Sequence, residues 1–148
     1  MTKRSKTRSA ARLAAVQALY QLDMEKPALA RLLNEFHDHR LGAEIEDAQY
    51  EEAEVPFFDD LVSGVDARRE EIDALVESKL GEQWKLSRLD KTMLQILRCG
   101  VYELIARADV PTKSVITEYV DVAHAFFDDK DAKFVNGLLD AVAKEKRG

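Results

Sequence analysis

Disulfide, metal, cofactor and membrane chemistry all lack their usual signs in this sequence. A single cysteine, Cys99, in 148 residues excludes an internal disulfide and fits a reducing cytoplasm. No stretch approaches the ~18 apolar residues of a membrane span, and the N-terminus lacks the apolar run of a secretory signal. Gly-rich phosphate loops of the Walker or dinucleotide type are missing, so no cofactor is expected. His37 and His39 have no Cys or carboxylate cluster at metal-ligand spacing and read as surface residues near a helix end. His124 reads as a boundary residue. Cys99, beside Gly100 and without a flanking base, reads as a small packing residue rather than a nucleophile. Asp59-Asp60 and Asp128-Asp129 read as caps and solvated charge. The residues point to no catalysis.

Only three prolines and six glycines interrupt the chain, which leaves long segments free to be helical. Apolar content of 46% with 34% charged residues describes a soluble globular protein, and 148 residues suffice for a real core. The charge is segregated. Lys3, Arg4, Lys6, Arg8 and Arg12 lie in the first twelve residues without an acid, although the chain as a whole stands at −6. Taking those five from 22 basic residues leaves 17 against 28 acidic ones, or −11 for the remainder. An acidic body repels nucleic acid, and a mobile basic arm over residues 1–8 reverses that locally by displacing counterions from phosphates.

Apolar spacing defines the helices. The first is expected from about Ser9 to Asp23, with Leu13, Val16, Leu19 and Tyr20 as its stripe and five alanines allowing close packing. Pro27 opens a second over Ala28 to Leu41, ended by Gly42. From Glu44 to Glu54 there are six acids and no base, read as an exposed loop. Pro56 starts the next helix in its first turn, continuing through Leu80 as one helix or as two with a break near Asp66. Gly81 stops it, and Trp84, Leu86 and Leu89 form a hydrophobic clamp. Ser87 with Asp90 resembles a capping box for a central helix carrying Leu94, Leu97, Val101, Leu104, Ile105 and Ala108. Asp109-Val110-Pro111 stops that helix and restarts the chain in another through Phe127. After a polar break at 128–131, a last helix carries Phe134, Val135, Leu138, Leu139 and Val142, with Lys144, Lys146 and Arg147 at its favourable end. The expected fold is all-α, with six or seven helices in two packed groups.

Without catalytic chemistry, the function to weigh is binding. Arg8 and Arg12 are four apart and share a side of the first helix; Gln17 and Tyr20 are three apart and share one also. Tyr20 at an apolar helical position reads first as a core tyrosine, and it also fits a platform for an unstacked RNA base beside guanidinium planes. Lys130, Lys133 and Phe134 repeat the cation-aromatic combination, where a free helix N-terminus would offer N–H groups to a phosphate.

These segments resemble the NusB family. Residues 12–20, Arg-Leu-Ala-Ala-Val-Gln-Ala-Leu-Tyr, are similar to its opening helix. Leu97-Arg98, Tyr102-Glu103-Leu104 and Asp109-Val110-Pro111 resemble its central signature, and Ile116, Glu118 and Ala123 fit the helix after it. Lys133-Phe134-Val135-Asn136-Gly137-Leu138-Leu139-Asp140 resembles its closing signature. Asp90-Lys91 departs from the pattern by lying about one turn upstream of the family's acidic-basic pair. The resemblance implies a single domain over 1–148, made of two perpendicular helical bundles without enzymatic activity. It implies transcription antitermination in the cytoplasm by binding single-stranded boxA RNA of nascent ribosomal transcripts with the ribosomal protein NusE, in the RNA polymerase antitermination complex. The RNA-binding residues carried over are Lys3, Arg4, Lys6, Arg8, Arg12, Gln17, Tyr20, Lys133 and Phe134. Two alternatives stand beside it. One is the RNA-binding part of a ribosomal-RNA cytosine methyltransferase, against which an end at Gly148 argues; the other is a helical adaptor that binds only protein.

Overall fold

The computed structural model describes residues 3–39, 54–82 and 85–148, with the side chains of 3–6 and 39 outside that description. Gly42, the acidic stretch 44–53 and Trp84 therefore lie outside the described residues. Seven α-helices are present among the rest: α1 (Lys3–Glu25), α2 (Leu29–His39), α3 (Val55–Ala67), α4 (Arg69–Lys79), α5 (Lys91–Ala106), α6 (Thr112–Phe126) and α7 (Asp129–Arg147). A 3-10 turn at Leu86–Arg88 precedes α5. The chain divides into two compact units, 1–64 and 65–148.

In the first unit, the alanine-rich inner face of α1 buries Ala11, Ala15, Ala18 and Leu19, while α2 contributes Leu32 and Phe36. Small side chains let helix axes approach closely, and the bulk comes from α3, which buries Phe57, Phe58, Leu61 and Val62. Phe36 stacks on Phe58 with ring centroids 5.5 Å apart. Beside them His37 Nε2 lies 2.6 Å from Asp59 Oδ1, so Asp59 is a side-chain partner of His37 rather than a helix cap.

Helix α1 starts at Lys3, about two turns ahead of the expected start near Ser9, so most of the basic stretch is helical. A contact distant in sequence fixes it: Glu54 N–H donates to the Thr7 carbonyl at 3.1 Å. Local periodicity is blind to such a contact.

In the second unit α5 is the central rod, with every residue from Met93 to Leu104 buried. A helix buried on all sides must satisfy any polar group it carries. Arg98 does so with a two-pronged bond to Asp73 of α4, both contacts at 2.8 Å, and with Gln95 at 3.3 Å. Buried Glu103 accepts from the Tyr119 hydroxyl of α6. Gly100 lets α7 close in, since a Cβ there would lie 2.8 Å from a Leu139 methyl. The break between α3 and α4 falls at Arg68, close to the expected Asp66. Ser87 does not cap α5. It lies in the 3-10 turn, and Asp90 is the cap, accepting from Thr92 N at 2.8 Å and Met93 N at 3.1 Å.

Candidate nucleic-acid interface

The sequence-predicted residues whose side chains are described fall in two regions, one in each unit. On the first, α1 turns Leu13, Gln17, Tyr20 and Met24 to solvent at successive intervals of four, three and four residues. That spacing defines a single stripe along the helix. Tyr20 is 40% exposed, which sets aside its reading as a core tyrosine, and Leu13 at 36% leaves the expected buried stripe as well. Gln17 and Tyr20 do share a side.

Arg8 and Arg12 also share a side, and both engage Phe57 near the start of α3. The Arg8 guanidinium carbon lies 4.5 Å from the ring centroid and that of Arg12 lies 4.9 Å away. Cations over an aromatic face at this distance are attracted by the ring quadrupole. Arg8 Nε also donates to Glu54 Oε2 at 3.0 Å. The two arginines differ in access: Arg12 is only 3% exposed, so little of it is open to a ligand. Lys3, Arg4 and Lys6 lie on the first turns of the same helix.

The second surface sits where α7 begins. Asp128 caps that helix by accepting from Asp131 N at 3.1 Å, so the polar break expected at 128–131 is largely its first turn. Asp128 thereby takes an N–H expected to be open to phosphate, and Asp129 and Asp131 place acid beside it. Lys130, Lys133 and Phe134 stand on the first two turns, all three exposed, Phe134 by 37%. Phe134 borders an open groove of about 410 Å³ lined also by Arg88, Leu89, Asp90, Met93, Phe127, Lys130 and Asp131. Desolvation, then the neighbouring Asp128 carboxylate, holds the Asp131 carboxyl above its ordinary value, with Lys130 opposing. Arg88 and Lys130 offer the groove two cations, and Phe127, Phe134 and Met93 offer apolar surface. Lys133 is not among its lining residues.

Sequence reading missed Arg88, Glu54 and Phe57. Arg88 sits between Ser87, read as a cap, and Leu89, read as part of a clamp, and no local signal ties Glu54 to a helix 46 residues earlier. No group of three or more His, Cys, Asp or Glu suited to a metal ion occurs among the described residues. None of the described helices is long and apolar enough to cross a membrane.

The described residues form a helical scaffold that carries exposed aromatic rings, the kind of surface on which an unstacked base can rest. The NusB family model matches residues 9–144. This chain belongs to the NusB family. It is 69% identical over 142 residues to the transcription antitermination protein NusB of Novosphingobium aromaticivorans, covering 96% of each chain. Identity to the same protein of Sphingopyxis alaskensis is 61% over 147 residues, with 99% of each chain covered. Its fold is similar to NusB in a crystal structure of the antitermination factors NusB and NusE in complex with dsRNA. There the TM-score is 0.78 and the identity 29%, over 94% of this chain and 97% of that one.

Proposed function

We propose that this chain is an RNA-binding transcription antitermination factor. It binds the boxA element of nascent ribosomal RNA together with the ribosomal protein NusE, and so supports processive transcription by RNA polymerase. It works in the cytoplasm, without catalysis, and both units act as one RNA-binding domain. The observation that carries this reading is the exposure of Tyr20 and Phe134, each more than a third open to solvent and so available to stack on an unpaired base. Lys3, Arg4, Lys6 and Arg8 supply phosphate contacts, and Gln17 a polar contact beside Tyr20. Arg12, enclosed against Phe57, acts chiefly by its field and by ordering α1. Lys133 and Phe134 form the second contact. Likeness to NusB in a complex with NusE and RNA supports the assignment of partners. The relatives named above are matched over nearly their whole length, which favours the free factor over a methyltransferase domain.

Titration of a single-stranded boxA RNA, at stated salt, tests the reading with and without NusE. The expected result is modest affinity alone, with both affinity and discrimination against a scrambled strand raised by NusE. A duplex competitor should displace less RNA than the unlabelled single strand. If NusE changed neither affinity nor preference, the cooperative assignment would fail.

A further inference from the structure

Glu54 closes a stretch, Glu44 to Glu54, that holds six acids and no base, in a chain whose first twelve residues hold five bases and no acid. Glu54 meets the basic helix twice. Its N–H donates to the Thr7 carbonyl, and its carboxylate accepts from Arg8 Nε at 3.0 Å. The two side chains are 28% and 14% exposed, so the pair is partly desolvated yet still reached by water. A carboxylate in that position presents to Arg8 what a phosphate presents: a planar or tetrahedral set of anionic oxygens matched to a guanidinium fork. The Phe57 ring, 4.5 Å from the Arg8 guanidinium, holds that fork in place whichever anion it meets.

We propose that Glu54 is a built-in competitor for the RNA face of α1, its carboxylate occupying the Arg8 guanidinium that an RNA phosphate takes over on binding. The inference rests on the assignment of α1 to RNA above. Partial exposure makes the exchange feasible: a displaced Glu54 returns to water instead of being stranded in a dry interior. The backbone bond to Thr7 does not depend on the carboxylate, so α1 keeps its anchor during the exchange. The contact acts as a threshold. An isolated phosphate or a weakly charged ligand has to compete with an anion tethered in place, whereas a longer strand offers several phosphates at once.

The test is the affinity of single-stranded boxA RNA for Glu54→Gln across a salt series. Glu54→Ser is a second variant, because a Gln carbonyl could still accept from Arg8. Glu35→Gln, an exposed acid of α2, controls for the change in net charge alone. Glu54→Gln should bind about two- to fivefold more tightly than Glu35→Gln, the worth of a part-exposed ion pair. Its log–log salt slope should be steeper by about 0.7, since no freed carboxylate regains a counterion. Both differences should vanish in an Arg8→Gln background. Equal binding by Glu54→Gln, Glu54→Ser and Glu35→Gln would overturn the inference and leave RNA binding intact. Weaker binding by both Glu54 variants, with unchanged thermal midpoints, would also overturn it and make Glu54 a support for Arg8. A wild-type protein and variants that bind no RNA at any salt would sink the RNA assignment itself.

Discussion

Arg147, in the last turn of α7, reaches back to Leu104 near the end of α5, its Nε donating to the Leu104 carbonyl at 2.9 Å. The same guanidinium donates to the carbonyls of Glu103, Arg107 and Val110 and to the Thr112 hydroxyl, at 2.8–3.1 Å. The final carbonyls of a helix have no partner within it, and a rigid five-donor fork satisfies several at once. Arg147 therefore links the end of α5, the turn at Val110 and the start of α6. Arg147→Ala should cost about 2–3 kcal/mol. That corresponds to a thermal midpoint lower by roughly 4–10 °C in a protein of this size. Arg147→Lys, with a single ammonium, should recover less than half. A midpoint within a degree of wild type for Arg147→Ala would show the clamp to be idle.

Tyr20 and Phe134 separate binding from folding. Both are more than a third exposed, so alanine at either should leave the thermal midpoint nearly unchanged. Each replacement should weaken RNA binding by about 1–3 kcal/mol, the worth of one stacked base. Phe57→Ala is the contrast. Phe57 is 1% exposed, and its loss should cost ~3–5 kcal/mol of stability. Normal RNA affinity in Phe134→Ala would remove Phe134 from the interface.

Most of the fold was legible because its boundaries are written in local chemistry. Pro56 and the Asp109-Val110-Pro111 stop mark helix limits by removing a donor or restricting the backbone, and α3 and α6 begin within a residue of the prolines. The three- and four-residue spacing of Leu94, Leu97, Val101, Leu104 and Ile105 likewise announced α5 as the central helix. What was not legible depends on residues far apart in sequence. The early start of α1 rests on Glu54 meeting Thr7 and Arg8, and Lys-Arg-Ser-Lys-Thr has no apolar period to reveal it. Leu13 and Tyr20 fit an apolar stripe by spacing, yet the alanine face of α1 is the one that packs. Asp90 three residues after Ser87 mimicked a capping box, although an aspartate can cap its own helix without a partner.

Gly100 is held small by Leu139. A Cβ at Gly100 would lie 2.8 and 2.9 Å from the two Leu139 methyls. Both residues are buried, so the overlap has little room to relax. Overpacking costs about 1–3 kcal/mol, against a gain of up to ~1 kcal/mol from replacing a mid-helix glycine. Gly100→Ala should be destabilised by about 1 kcal/mol in a urea titration. In a Leu139→Ala background, where the methyls are gone, the same change should become neutral or stabilising. A gain from Gly100→Ala alone would show that Leu139 can swing aside.

Acid should loosen the contact between α4 and α7. Lys79 Nζ donates to Glu145 Oε1 at 2.7 Å, and that bond holds the Glu145 carboxyl below its ordinary value. A carboxyl with a depressed folded pKa contributes stability that is present above the ordinary value, 4.5, and is lost as pH falls through the folded one. Between pH 7 and pH 3, Lys79→Met should therefore show a slightly smaller drop in thermal midpoint than wild type. Parallel pH curves for the two proteins would show that this pair contributes nothing to acid sensitivity.

The central claim is that the basic start of α1 contacts RNA phosphates, and the salt dependence of binding tests it most directly. Substitution is the proper means, because deleting residues 1–9 would also remove the Thr7 and Arg8 contacts that hold the helix. Lys3→Gln, Arg4→Gln and Lys6→Gln together keep good helix formers while removing three charges. Single-stranded boxA affinity of this triple variant and of wild type would be measured over a tenfold range of salt. The variant should bind more weakly at low salt, with a log–log slope shallower by about 2, and the two curves should converge as salt rises. Identical affinities and identical slopes would contradict the account.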